Sequence, residues 1–203
     1  MTRRRDPFAA ALESLRGRAE QGVYPPGGPV VIMDEARRLN LSTTPVREAL
    51  VWLSGYGLIE RSPTGGFLAP RLERAIVKDR FAFRLQCVTG SLTAAGDVHG
   101  HDLGRGGGDL AGLDLAGHML CAVRRAGNAA LIDAYVRVCR QLIQLVPAER
   151  RLFPDHQEED RALADLFTVG GDALAEGLAL YHRRRIEAAP LLILEAEAAR
   201  RET

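Results

Sequence analysis

Ser42, Thr43, Thr44 and Arg47 crowd the start of the run Leu41-Ser-Thr-Thr-Pro-Val-Arg-Glu-Ala-Leu50. Hydroxyls and a guanidinium at one helix end are the groups that meet phosphates and base edges of duplex DNA. Ser42 is placed to act as an N-cap, its side-chain oxygen taking an amide the helix leaves unpaired. Pro45 falls in the first turn, where a missing N–H costs little. Val46, Ala49, Leu50 and Leu53 recur at helical spacing and form one apolar stripe. Thr43, Thr44, Arg47 and Glu48 are thereby left facing outward. Gly57-Leu-Ile-Glu-Arg61 and Gly65-Gly66-Phe67 follow. The whole reads as a helix-turn-helix whose second helix enters a major groove, with a β-hairpin wing behind it.

The elements that must position this end are legible on either side. Leu12, Leu15 and Ala19 share one face of a helix over about Pro7–Ala19. Tyr24-Pro-Pro-Gly-Gly-Pro29 is a turn cluster, and a short helix over Asp34–Leu39 precedes the recognition helix. Ile59-Glu-Arg and Gly66-Phe-Leu-Ala read as two strands around Ser62-Pro-Thr-Gly65. Pro70 closes the winged part. Beyond it the periodicity is helical over Ile76–Thr93, Gly112–Ala126, Ala129–Val146, Asp155–Thr168, Asp172–Ala188 and Leu191–Arg201. Asn128, Pro147, Gly170-Gly171 and Pro190 serve as caps and stops. Gly90–Gly112 breaks the pattern with eight glycines and reads as a surface loop. Its Gly104-Arg-Gly106 lacks the strand and the Gly-Lys-Ser/Thr ending of a phosphate loop. The fold class is therefore mainly α: residues 1–72 form a winged helix-turn-helix with a small β-wing, and residues 73–203 an all-α bundle.

Charge divides along the same line. Residues 1–80 carry 13 Lys+Arg against 9 Asp+Glu, and 81–203 carry 14 against 17. A mildly basic head on a mildly acidic body suits a nucleic-acid-binding unit joined to one that is not. Glu13 ends the apolar run after Arg3-Arg4-Arg5 too soon for a signal peptide, and no segment approaches 18 apolar residues. Cys87, Cys121 and Cys139 are odd in number and scattered, as reduced thiols of a cytoplasmic protein would be.

The stretch from about Gly22 to Leu72 resembles the winged helix-turn-helix of the GntR family of bacterial transcriptional regulators. The matching pieces are Gly22, Pro26-Gly27, Ala36, Leu39-Asn-Leu-Ser42, Thr44-Pro45-Val46-Arg47-Glu48-Ala49-Leu50, Leu53, Gly57-Leu58-Ile59 and the wing glycine. The resemblance implies DNA contacts by Ser42, Thr43, Thr44, Arg47, Gly65 and Gly66. Thr43 and Met33 stand where relatives often carry arginine. Each good arginine–guanine contact discriminates by about 1–3 kcal/mol, so the protein should read a different operator, or bind more weakly, than arginine-rich relatives.

The helical part resembles the effector-binding bundle of the FadR-like branch, the FCD domain. Asp114-Leu-Ala-Gly-His118, Asn128-Ala-Ala-Leu131, Glu159-Asp160-Arg161-Ala162, Gly171-Asp172-Ala173 and His182 carry this likeness. It implies a divalent metal (zinc, nickel or manganese) held by Asp114, His118, Asp160 and His182. Asp160 departs from the pattern, which has histidine there. Two carboxylates with two imidazoles make a harder, more anionic donor set. His156, one turn earlier, is the alternative donor. Arg84 takes the place of the family's first bundle arginine and can clamp an effector carboxylate or join a helical ion-pair network. Val88 replaces the acid that usually follows it.

The implied protein is a repressor that binds a palindromic operator in double-stranded DNA as a homodimer. It would respond to a small effector, an organic or sugar acid, and has no membrane partner. Two alternatives stand beside it. His101-Asp102 is reminiscent of metal-dependent phosphohydrolases, which would make the helical part a hydrolase. A regulator that has lost its effector and binds DNA constitutively is the other.

Overall fold

The computed structural model describes residues 6–94 and 113–201. The chain divides into two compact units, Met1–Leu72 and Glu73–Thr203.

The first unit opens with helix α1 (Pro7–Glu20), where the Asp6 side chain accepts from Phe8 N at 3.1 Å and Pro7 fills the first turn. Strand β1 (Pro29–Val30), α2 (Ile32–Leu39), α3 (Thr43–Gly55), β2 (Glu60–Arg61) and β3 (Phe67–Leu68) follow. The apolar stripe of α3 is the core of this unit. Val46, Ala49, Leu50 and Leu53 are fully buried, together with Ala11 and Leu15 of α1. Because that one face is consumed by packing, the opposite face of α3 is left to solvent.

Asn40 ends α2 in the left-handed conformation (φ 53°), which an asparagine tolerates and which turns the chain sharply into α3. Ser42 occupies the N-cap position with extended backbone, but its side chain makes no capping hydrogen bond. The expected cap contact is absent. The exposed residue instead sits at the helix mouth.

The wing is a three-stranded antiparallel sheet in the order β1-β3-β2, with Val30 opposite Phe67 and Arg61 also opposite Phe67. β1 escaped the sequence reading because two residues hold too little alternation to register a period. Gly65 and Gly66 at the hairpin tip have φ of 99° and 85°, values that strain any residue with a Cβ. Glu35 is the unit's buried acid. It pairs with Arg38 at 2.8 Å and Arg18 at 3.3 Å, while Arg38 also donates to Ser14 Oγ at 2.9 Å. This ties α2 to α1 from the side away from α3's exposed face.

The second unit contains α4 (Arg74–Ala94), α5 (Leu115–Arg125), α6 (Ala129–Leu142), a 3-10 turn at Ile143–Leu145, α7 (Val146–Leu152), α8 (His156–Val169) and α9 (Gly171–Arg201). Gly90 lies within α4 rather than in a loop. Residues 95–112, with His101-Asp102 and Gly104-Arg-Gly106, lie outside the described residues.

Two prolines behave differently from expectation. Pro147, a stop by its sequence context, opens α7, where its missing N–H is no loss. Pro190, a break between two helices by the same logic, lies inside α9, which runs through it. An interior proline costs about 3 kcal/mol. The burial of Leu178, Ala189, Leu192 and Ala196 along one continuous face outweighs that. No helix among the described residues is long and apolar enough to cross a membrane. The three cysteines are free, and burial pushes the Cys87 thiol up to about 11.

Arg185 of α9 is 1% exposed and pins three helices together. Its Nε donates to Glu149 of α7 at 2.7 Å, its Nη2 to Glu159 of α8 at 2.9 Å, and its Nη1 to the Tyr181 carbonyl at 3.0 Å. The Tyr181 ring lies 3.3 Å from its Cζ. Removing the cation leaves the buried Glu149 without its partner, while Glu159 keeps Arg184 at 3.2 Å; breaking a buried pair costs about 3–5 kcal/mol. Arg185→Ala is therefore expected to destabilise the helical unit by that amount. Urea unfolding followed by circular dichroism measures it, and a loss below about 1 kcal/mol would show that the acids are solvated without it.

Candidate nucleic-acid interface and helical-unit site

At the amino end of α3, Thr44, Arg47 and Glu48 are exposed and Thr43 is half-buried. Arg47 looks across a cleft of about 340 Å³ whose other wall is the wing: Arg61, Ser62, Gly65, Gly66 and Phe67. The hairpin tip is closed by its own hydrogen bonds. Ser62 N donates to Gly66 O at 3.1 Å, and Gly65 N to Ser62 O at 3.0 Å. Ser62 Oγ and Thr64 Oγ1 lie 2.9 Å apart.

Of the six sequence-named DNA residues, Arg47, Gly65 and Gly66 line this one cleft, and Ser42, Thr43 and Thr44 stand at the start of α3. Arg61 was missed. Its strand was recognised, but its position opposite the buried Phe67, which turns it toward Arg47, needs the register of the sheet.

In the helical unit, the residues proposed as metal donors hold other roles. Asp114 is exposed and caps α5, accepting from Gly117 N at 2.8 Å. His118 Nδ1 donates to the Asp114 carbonyl at 2.9 Å, and its ring tilts against Phe167 of α8 at 5.5 Å. His182 Nδ1 donates to the Leu178 carbonyl at 2.8 Å. A carbonyl only accepts, so each Nδ1 carries the proton and each Nε2 the lone pair.

For His182 that lone pair is already taken: Arg84 Nε donates to it at 3.2 Å across 98 residues of sequence. A guanidinium there repels a metal cation from the same nitrogen. Asp160 is half-buried, with Oδ1 buried and without a hydrogen-bond partner. His156, the alternative donor, gives Nδ1 to the Phe153 carbonyl at 3.0 Å. Among the described residues no three His, Cys, Asp or Glu side chains gather closely enough to hold a metal ion. The set Asp114, His118, Asp160 and His182 is thus not gathered into a metal site among the described residues: Asp114 is spent as a helix cap, and His182 Nε2 faces the Arg84 guanidinium.

The geometry instead joins two separately read features, Arg84 and His182. Arg84 Cζ lies 5.1 Å from the Phe81 ring and 5.8 Å from the Tyr181 ring, and its Nη2 is buried without a partner. Burial, reinforced by Arg84, pushes His182 down to about 3, so the imidazole stays neutral. Burial holds the Asp160 carboxyl above the ordinary carboxylate range, with Arg185 opposing. Val88, one helical turn after Arg84, is fully buried in the apolar core and supplies Arg84 with no counter-charge.

Fold and cleft together define a winged helix-turn-helix head on a helical body. No protein-family model matches the chain. A probable D-xylose utilization operon transcriptional repressor of Paenarthrobacter nicotinovorans is 30% identical over 180 residues, covering 80% of this chain and 79% of that protein. The chain belongs to the GntR family of transcriptional regulators. An uncharacterized HTH-type transcriptional regulator of Agrobacterium vitis is 32% identical over 71 residues, 35% of this chain and 42% of that protein. Among solved structures, E. coli McbR/YncC shares the fold with a TM-score of 0.61 at 16% identity, covering 92% of this chain and 98% of that one.

Asp160 yields a pH-dependent expectation. Its folded-state pKa is raised, so the charged form is penalised in the native protein, fully so above the folded pKa. Asp160→Asn should raise the melting temperature at pH 7. The gain should vanish as pH falls toward about 4, where the unfolded carboxyl also protonates. A melting temperature equal to wild type across that range would mean the carboxylate is well solvated.

Proposed function

We propose that this protein is a DNA-binding repressor of the FadR-like branch with an FCD-type helical unit. It binds a palindromic operator as a homodimer and responds to a small organic or sugar acid. The observation that carries the reading is the single cleft in which Arg47 of α3 faces Arg61 and the glycine tip of the wing. Two guanidiniums flanking a groove wall, with Thr43 and Thr44 beside them, form a surface built for a phosphate backbone with one base-reading arm. A sugar-derived effector is in keeping with the named role of the Paenarthrobacter relative. Arg84, half-buried with its Nη2 buried and without a partner, is the effector residue in this reading. Effector control requires that the ligand bind two conformations of the dimer unequally.

The two arginines should behave differently. Arg47→Ala should cost about 1–3 kcal/mol for the operator and relax discrimination against base changes. Arg61→Ala should weaken operator and unrelated duplex alike and reduce the salt dependence by about one counterion. Fluorescence anisotropy over a salt series separates them. Unchanged operator affinity in both variants would overturn the reading.

Dimerisation has two exposed apolar patches available on the helical unit: Ile76 with Phe83 on α4, and Leu191 with Leu194 on α9. Sedimentation of the wild type should give a dimer, and Phe83→Asp or Leu194→Asp a monomer. A wild-type monomer that binds DNA one chain per site would contradict the palindromic arrangement.

A further inference from the structure

We propose that Val51 of α3 is a specificity-determining residue, reading a thymine of the operator through its C5-methyl group. This rests on the reading that the cleft between α3 and the wing meets duplex DNA.

That cleft joins an apolar wall to its cations. Packing consumes Val46, Ala49, Leu50 and Leu53, which leaves Thr44, Arg47, Glu48 and Val51 on the solvent face of α3. Val51 is 39% exposed and lines the cleft with Arg47, opposite Arg61 and the wing glycines, whereas Glu48 does not line it. Ile32, the first residue of α2, lines it too, and its neighbours Val31 and Met33 are 46% and 59% exposed. Among the described residues of the head, only Val23, Val31, Met33 and Val51 are large exposed apolar side chains. Three of these four therefore line the cleft or flank a residue that does. A scattered valine on a surface needs no explanation, but a group of this kind marks a contact site.

Arg47 and Arg61 decide what makes the contact. Two guanidiniums draw a polyanion, so the apolar side chains meet whatever apolar group that polyanion presents. On the base edges of a major groove the hydrogen-bonding groups recur on every pair, and the apolar one is the thymine methyl. Val51 has no polar group to leave unpaired there, and its branched side chain has little rotamer freedom to lose. Helix geometry fixes the position. Arg47 and Val51 are four residues apart, about 6 Å along the axis. That is close to two base-pair steps, each about 3.4 Å. The thymine read by Val51 therefore lies two base pairs from the base read by Arg47.

A duplex selected from a random pool by the full wild-type chain supplies the probe. Each thymine in it is replaced in turn by deoxyuridine, which lacks only the methyl, and fluorescence anisotropy at fixed salt reads the affinity. Arg47→Ala locates its base as the position where discrimination relaxes. Replacing the thymine two base pairs from that position should weaken wild-type binding about threefold, the worth of one buried methyl. Val51→Ser should bind the thymine and deoxyuridine duplexes equally, while Val51→Ile should keep the difference. The wild-type scan needs no variant and carries the test if Val51→Ser does not fold. The proposal is overturned if no deoxyuridine weakens binding, or if the sensitive thymine lies elsewhere. It is equally overturned if Val51→Ser weakens both duplexes by one factor and leaves the methyl effect in place. A chain that selects no duplex removes the DNA reading and this inference together. Selection with an Arg47→Ala effect but no deoxyuridine response removes the role of Val51 and leaves the regulator standing.

Discussion

The burial of Arg185 governs the helical unit. A cation withdrawn from water must find its compensation inside, and here it does so from two acids on two other helices, Glu149 of α7 and Glu159 of α8. Neighbouring Arg184 holds Asp155 through paired bonds of 2.9 and 2.6 Å and stacks over Phe153. α7 and the amino end of α8 are thus fastened to the middle of α9. One turn toward the amino end of α9, that fixed segment carries Tyr181 and His182 into contact with Arg84 of α4. What surrounds Arg84 is set by how rigidly Arg185 is held.

In the head, a comparable division of labour comes from packing. α3 spends Val46, Ala49, Leu50 and Leu53 on the core, and α2 is fastened to α1 through Glu35 rather than through α3's outer face. Thr44 and Arg47 are thereby left exposed, outside the packing of the unit's core.

Much of this was legible in the residues, and the failures have physical causes. The recognition helix and wing declared themselves because helical spacing, a turn and paired glycines point the same way. β1 did not, because two residues cannot show a period. Pro147 and Pro190 misled because a proline's effect depends on where the helix begins and on how much buried face lies on either side. Arg185 gave no sign at all. In a Tyr-His-Arg-Arg-Arg run nothing local tells which arginine turns inward, and its acids lie 26 and 36 residues away. The donor set around His118 and His182 was inferred by likeness position by position. Side-chain spacing along helices cannot reveal that Asp114 would be used as a cap or that a guanidinium would reach His182 first.

The tip of the wing carries a consequence of its own. Gly65 and Gly66 stand there in conformations that exclude larger residues, and an added Cβ at either would meet nothing within 4 Å. Glycine is required there by backbone geometry alone, so at these two positions the wing presents peptide groups, beside the exposed Pro63 and Thr64. Against duplex DNA the two glycines would bring no side chain to a base edge. They would respond to the width and depth of the groove, which vary with the stiffness of the local sequence. Operator positions under the wing would then be selected for deformability, leaving base identity to the two turns of α3.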